Sequence, residues 1–204
     1  MSKPSILQAD RSYTFRSYFE LPYEAEDILA EFGYAFARKR LSLPQSDRPL
    51  TQIPELQQRI EETLPLIRLS SEAARRETLI APVLLEIARY CQCQLRIEYP
   101  LQVSNRLKGT LDYLLRSQNQ LLVIEAKNDD LTRGFTQLAV ELIALSEWDS
   151  SLTFLYGAVT IGDIWIFGTL RQEARTIEQD VRSLRVPDDL EILVRTIIGI
   201  LERS

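Results

Sequence analysis

Three ionisable side chains, Asp112, Glu125 and Lys127, sit inside an otherwise apolar stretch, and their types suit phosphate or metal chemistry. Residues 109–127 read Gly-Thr-Leu-Asp-Tyr-Leu-Leu, a polar break at Arg116-Ser117-Gln118-Asn119, then Gln-Leu-Leu-Val-Ile-Glu-Ala-Lys. Two short apolar runs around a four-residue polar break predict a β-hairpin. With Leu115 facing Gln120, Asp112 faces Val123 and shares a sheet face with Glu125 one diagonal step away, roughly 7–8 Å at Cα. Glu125 and Lys127 are two residues apart on one strand and point to the same side. Leu121-Leu-Val-Ile124 reads as a buried central strand, an expensive place for a carboxylate and an ammonium. Two carboxylates sharing one cation would account for that cost, and a structural salt-bridge cluster is the alternative.

Other chemistries are excluded by composition. The 204 residues contain no histidine, so Ser-His-Asp and Cys-His catalysis and His-ligated zinc are out. Hydrolysis would have to run on Asp, Glu, Lys, Tyr or a hard cation held by oxygen. No Gly-rich phosphate loop is present. Cys91 and Cys93 have no partner pair for zinc and read as packed thiols in a reducing setting, so a cytoplasmic location is expected. No run approaches the ~20 apolar residues of a membrane span, and no membrane partner is expected. The net charge of −5 argues mildly against a coat of nucleic acid, although a local basic groove stays open.

The elements that must position these residues follow from periodicity. Residues 1–11 read as a loose tail, and Tyr13, Phe15 and Phe19 as a half-exposed strand. A helix is predicted from Pro22 to about Arg40, with Ile28, Phe32 and Phe36 on one face. A two-proline loop and a helix over 54–64 complete a mostly helical extension, residues 1–70. The core, residues 71–204, begins with a helix over 72–90, N-capped by Ser70-Ser71 and kinked at Pro82. On it Glu72 shares a side with Leu79, Val83 and Ile87, and its bland alternative is an ion pair with Arg76 at i+4. A strand over 94–103, the central hairpin, a helix over 131–148 carrying Gln137 and Glu141 on one face, a second hairpin over 152–170 and a helix over 190–201 follow. Trp165 and Phe167 read as core. The apolar face of the last helix (Ile192, Leu193, Ile197, Ile198, Leu201) suggests docking onto a partner or a homodimer.

This order, a helix with an acid, a strand, a strand with Asp, a strand with Glu-x-Lys and a helix with Gln, resembles the PD-(D/E)XK nuclease superfamily over about residues 71–170. Within the superfamily the chain resembles a group of uncharacterised cyanobacterial members through residues 157–168, Gly-Ala-Val-Thr-Ile-Gly-Asp-Ile-Trp-Ile-Phe-Gly. The resemblance implies an α/β restriction-endonuclease-like fold, a mixed central sheet flanked by helices. It implies DNA as partner and Mg²⁺ or Mn²⁺ as cofactor, held by Asp112, Glu125 and the Ala126 carbonyl. Lys127 would orient the attacking water, Glu72 would assist, and Gln137 would position the phosphate. Leu111 stands where the family name has Pro, and Glu141 where many members carry an aromatic. The implied activity is metal-dependent phosphodiester hydrolysis, and the alternative is a non-catalytic module on the same scaffold that binds DNA or protein.

Overall fold

The computed structural model describes residues 5–8, 10–118 and 120–203. Its frame is a mixed eight-stranded sheet in the order β1-β7-β6-β5-β4-β3-β2, with the short β8 paired to β6. The strands are β1 (Ala35–Lys39), β2 (Gln94–Gln102), β3 (Lys108–Arg116), β4 (Leu121–Ala126), β5 (Phe154–Thr160), β6 (Ile164–Arg171), β7 (Thr176–Asp180) and β8 (Leu184–Arg185). β4 runs parallel to β5, and β1 to β7. The other pairs are antiparallel.

Helices cover both faces, which is why β4 is buried at every position. On one face lie α1 (Phe15–Glu20), α2 (Ala25–Ala30) and α6 (Leu131–Trp148), sharing a core with Leu114, Val123 and Val159. On the other, α3 (Ile53–Thr63), α5 (Ala81–Cys91) and α7 (Leu190–Leu201) pack over Tyr113, Leu122, Ile124 and Trp165. α4 (Glu72–Arg75) leads into α5 through a π-helical turn. α6 is buried from Gly134 to Ser146 without interruption, because the sheet lies beneath it and α1 and α2 lie above. Among the described residues no helix is long and apolar enough to cross a membrane.

Several sequence expectations change here. Phe15, Tyr18 and Phe19 are spaced i, i+3, i+4, and the helical period wins over the alternating one: Thr14 and Ser17 form a capping box, and Phe15 and Tyr18 are buried. The helix expected over 22–40 stops at Ala30. Gly33 adopts φ +75°, the chain turns, and Phe36 enters β1 instead. Residues 1–4 and 9 of the expected loose tail lie outside the described residues. Within it, however, Leu7 is buried and the Ile6 amide donates to Glu31. The first seventy residues thus supply an edge strand and parts of both helical layers. β7 and β8 had no sequence forecast.

The central hairpin forms, but its register is two residues from expectation. Leu115 faces Leu122, and continuing the ladder one step past Tyr113–Ile124 brings Asp112 opposite Glu125 rather than Val123. An even shift preserves the face. Pro82 does not break its helix. The π-helical turn over Arg76–Ile80 absorbs it, with the Ala81 amide reaching back to the Arg76 carbonyl. That extra residue advances the helix by about 100°, which turns Glu72 away from the side of Leu79 and Val83. In α7, Leu193, Ile197, Ile198 and Leu201 are spent on the chain's own core, and Ile192 alone of the five stays exposed. The stripe that suggested a homodimer is thus covered intramolecularly.

Candidate active site

β3, β4 and α6 carry a connected group of polar side chains on the α6 face of the sheet. Asp112 is fixed first: its Oδ2 accepts the Ala126 amide at 2.8 Å, so its carboxylate is tied to the β4 backbone. Glu125 lies 1 % exposed at the end of β4, and its Oε1 is 2.5 Å from the Lys127 ammonium. Gln137 on α6 donates through Nε2 to Glu125 Oε1 at 2.6 Å and to Glu141 Oε1 at 2.9 Å. One side-chain amide therefore bridges two buried carboxylates from different elements. Glu141 is fully buried.

The close approach of α6 needs Gly134. A Cβ there would fall 2.8 Å from Lys127 Cγ and from Val159 Cγ2. From the other side α1 brings Phe19, whose ring centroid lies 4.9 Å from the Lys127 ammonium. Lys127 is thus held between an anion and an aromatic face.

The electrostatics follow from burial. Desolvation, together with Glu141 and Asp112, pushes the Glu125 carboxyl well above its usual range, although Lys127 pulls the other way. Burial likewise raises Glu141 to about 8, against the hydrogen bond from Gln137. Two adjacent carboxylates in such a place retain a proton between them at neutral pH. Burial works against the charge on Lys127, but Glu125 and Asp112 outweigh it and hold its proton more tightly than usual.

Arg76 forms the outer rim. It lies 3.7 Å from Asp112, 3.6 Å from Glu98 and 4.0 Å from Glu72. Its Nε donates to the Tyr113 hydroxyl at 3.3 Å, and the guanidinium stands 5.1 Å from that ring. Burial opposes its charge, and Tyr113, Asp112 and Glu98 more than compensate. Glu72 remains 42 % exposed and reaches the other carboxylates only through Arg76.

Of the residues singled out in the sequence, Asp112, Glu125, Lys127 and Gln137 stand together, and Ala126 contributes its amide to Asp112. Glu72 stays outside the group. No role in the site follows from the sequence for Glu141, and Arg76 enters there only as the ion-pair partner of Glu72, which it meets at 4.0 Å. The i, i+4 spacing of Gln137 and Glu141 was visible, but not that both face β4.

The donor set suits a hard cation. Glu125 Oε2, Glu141 Oε2 and Gln137 Oε1 are buried without hydrogen-bond partners. Among Asp112, Glu125, Glu141, Lys127 and Arg76, the acids outnumber the bases by one. Among the described residues no three His, Cys, Asp or Glu side chains make a protein-only cage. A cation resting on one or two carboxylates, a backbone oxygen and water, as Mg²⁺ commonly does, needs no such cage. The sequence matches no family model and no curated protein.

Proposed function

We propose that the chain is a metal-dependent phosphodiester hydrolase of nuclease type acting on DNA, built on a restriction-endonuclease-like fold. The observation that carries this reading is the convergence of Asp112, Glu125 and Lys127 on one sheet face, with unpartnered carboxylate oxygen at its centre. Asp112 and Glu125, with the Ala126 carbonyl, would hold Mg²⁺ or Mn²⁺. When bound, such an ion supplies Lewis-acid stabilisation of phosphate charge and makes water a better nucleophile near neutral pH.

The protein's own groups do the rest. Lys127 keeps its proton and places a positive charge where the phosphate becomes more anionic. Gln137 fixes the Glu125 oxygen that Lys127 also contacts, so the carboxylate cannot swing away. Asp112 is pinned by the Ala126 amide. Arg76, on the rim beside Asp112, offers a guanidinium to a neighbouring phosphate. Phe19 and α6 shield the inner side from solvent, leaving the edge near Asp112, Arg76 and Glu72 for substrate.

The test is cleavage of linear, supercoiled and branched DNA with Mg²⁺ or Mn²⁺. Folded wild type should cut at least one substrate, and Lys127→Ala or Asp112→Asn should lower the rate by about 10²-fold or more. Intact DNA across all substrates and both metals defeats the hydrolase reading. A second reading, a binding module on the same scaffold, draws on the Lys127–Glu125 ion pair at 2.5 Å, which satisfies the lysine without substrate. That reading calls for DNA retention with no cleavage, unaffected by metal.

A further inference from the structure

Far from Asp112 and Glu125, the sheet carries a second concentration of charge. Lys39, Arg40, Arg171 and Arg203 line a cavity of about 580 Å³ together with Phe154, Tyr156 and a single carboxylate, Glu178. The cavity lies on the sheet face opposite the Glu125 group, since Phe154 and Tyr156 belong to the core under α7. It also lies at the other end of β5. Phe154 opens that strand, whereas Val159, the partner of Glu125, is five residues further on, roughly 16 Å at ~3.3 Å per residue.

The cations are positioned by fixed partners. Glu178, only 6 % exposed, holds the Lys39 ammonium at 2.6 Å and the Arg171 guanidinium at 3.7 Å. The guanidinium groups of Arg171 and Arg203 stand 4.8 and 5.6 Å from the Phe154 ring centroid. Arg203 also donates to the Tyr156 hydroxyl. Glu178 cancels one positive charge among the lining residues and leaves three, in a chain whose net charge is −5. Four cations around a concavity, with Lys39, Arg171 and Arg203 held by partners, match an anion with several oxygens, and three of the four are arginines, whose forked donors suit phosphate.

We propose that this cavity binds a small phosphate-bearing molecule of mononucleotide size, independently of the chemistry at Glu125. Its volume lies within the ~300–1,000 Å³ typical of small-ligand sites. A long polyanion fits less well, because the acidic remainder of the molecule repels it beyond the cavity.

Calorimetric titration of the full chain in metal-free buffer, with inorganic phosphate, ATP and a ten-nucleotide single strand, tests this. ATP should bind, inorganic phosphate more weakly, and the oligonucleotide no better than ATP. Arg40→Glu changes an exposed side chain and should weaken ATP about tenfold, with circular dichroism unchanged. The double substitution Arg171→Gln, Arg203→Gln should weaken it further. No heat with either phosphate or ATP overturns the proposal, as does binding that a folded Arg40→Glu protein retains in full, or preference for the oligonucleotide. Because metal is absent and no cleavage is read, these results are separate from those of the nuclease test.

Discussion

Glu125 and Glu141 are costly residues, because each buries a carboxylate where a sheet or a helix could have carried leucine. Lys127 and the Gln137 amide offset part of that cost, and protonation relieves the rest when no metal ion is bound. For Glu141 the folded-state value is about 8, against 4.5 for the free side chain. Between these limits the folded protein holds a proton that the unfolded chain has lost, so stability falls as pH rises through the window. The slope is about 1.4 kcal/mol per pH unit for each retained proton. Urea denaturation of metal-free protein from pH 5 to 9 should show that decline, and Glu141→Gln should flatten it. A slope unchanged in Glu141→Gln protein would mean that the proton resides elsewhere. At this scale the sequence disclosed Asp112, Glu125 and Lys127, because charged residues interrupt an apolar run there. Glu141 was hidden because a helix shows its own faces but not which neighbour each one meets.

Elements set how tightly these side chains converge, and one glycine at a close approach and another at a turn show how. Gly134 lets α6 descend onto β4, and its Cα hydrogen occupies space that any Cβ would contest with Lys127 and Val159. Gly134→Ala should cost about 1–3 kcal/mol from overpacking. It should also lower the proposed cleavage rate beyond what the lost stability explains, since Lys127 must shift. Equal activity at equal folded fraction would show that the contact is immaterial. Gly33, at φ +75°, ends the expected long helix and sends the chain into β1. Gly33→Ala should destabilise by about 1–2 kcal/mol, measurable by thermal melting. Arg175 can yield to the new methyl, but it also donates to the Phe32 and Gly33 carbonyls, so the turn is held from outside as well. The helices α3, α6 and α7 were legible from period and caps. The π-helical turn before Pro82 was not, and it is what moved Glu72 from the buried side to the rim.

Taken whole, the molecule invests both faces of its sheet in packing and leaves polar groups where the strands end. A cation that binds only the folded state adds RT ln(1 + [L]/Kd), about 2.7 kcal/mol at a hundredfold excess over Kd. Millimolar Mn²⁺ should therefore raise the melting temperature. The shift should be larger at pH 8 than at pH 6, because the metal competes with the proton shared by Glu125 and Glu141. Glu125→Gln and Asp112→Asn should abolish it. No shift in wild type at either pH would argue against a metal site, whatever the outcome of cleavage assays.

By itself the sequence determined which strand would be central, which residues on it are chemically out of place, and that without histidine any hydrolysis must rest on carboxylates, lysine and a hard ion. Those features are local: composition, period two or period 3.6, and the two-residue offset of Glu125 and Lys127. Tertiary structure decided the rest. The turn closed by the Ser117 amide on the Gln120 carbonyl set the hairpin register that puts Asp112 opposite Glu125, and capture by β7 drew residues 35–39 out of a helical pattern. The packing of α6 against β4 turned Gln137 and Glu141 toward Glu125. The capture of β1 and the docking of α6 depend on contacts between separate elements, whose energies no local window of sequence contains.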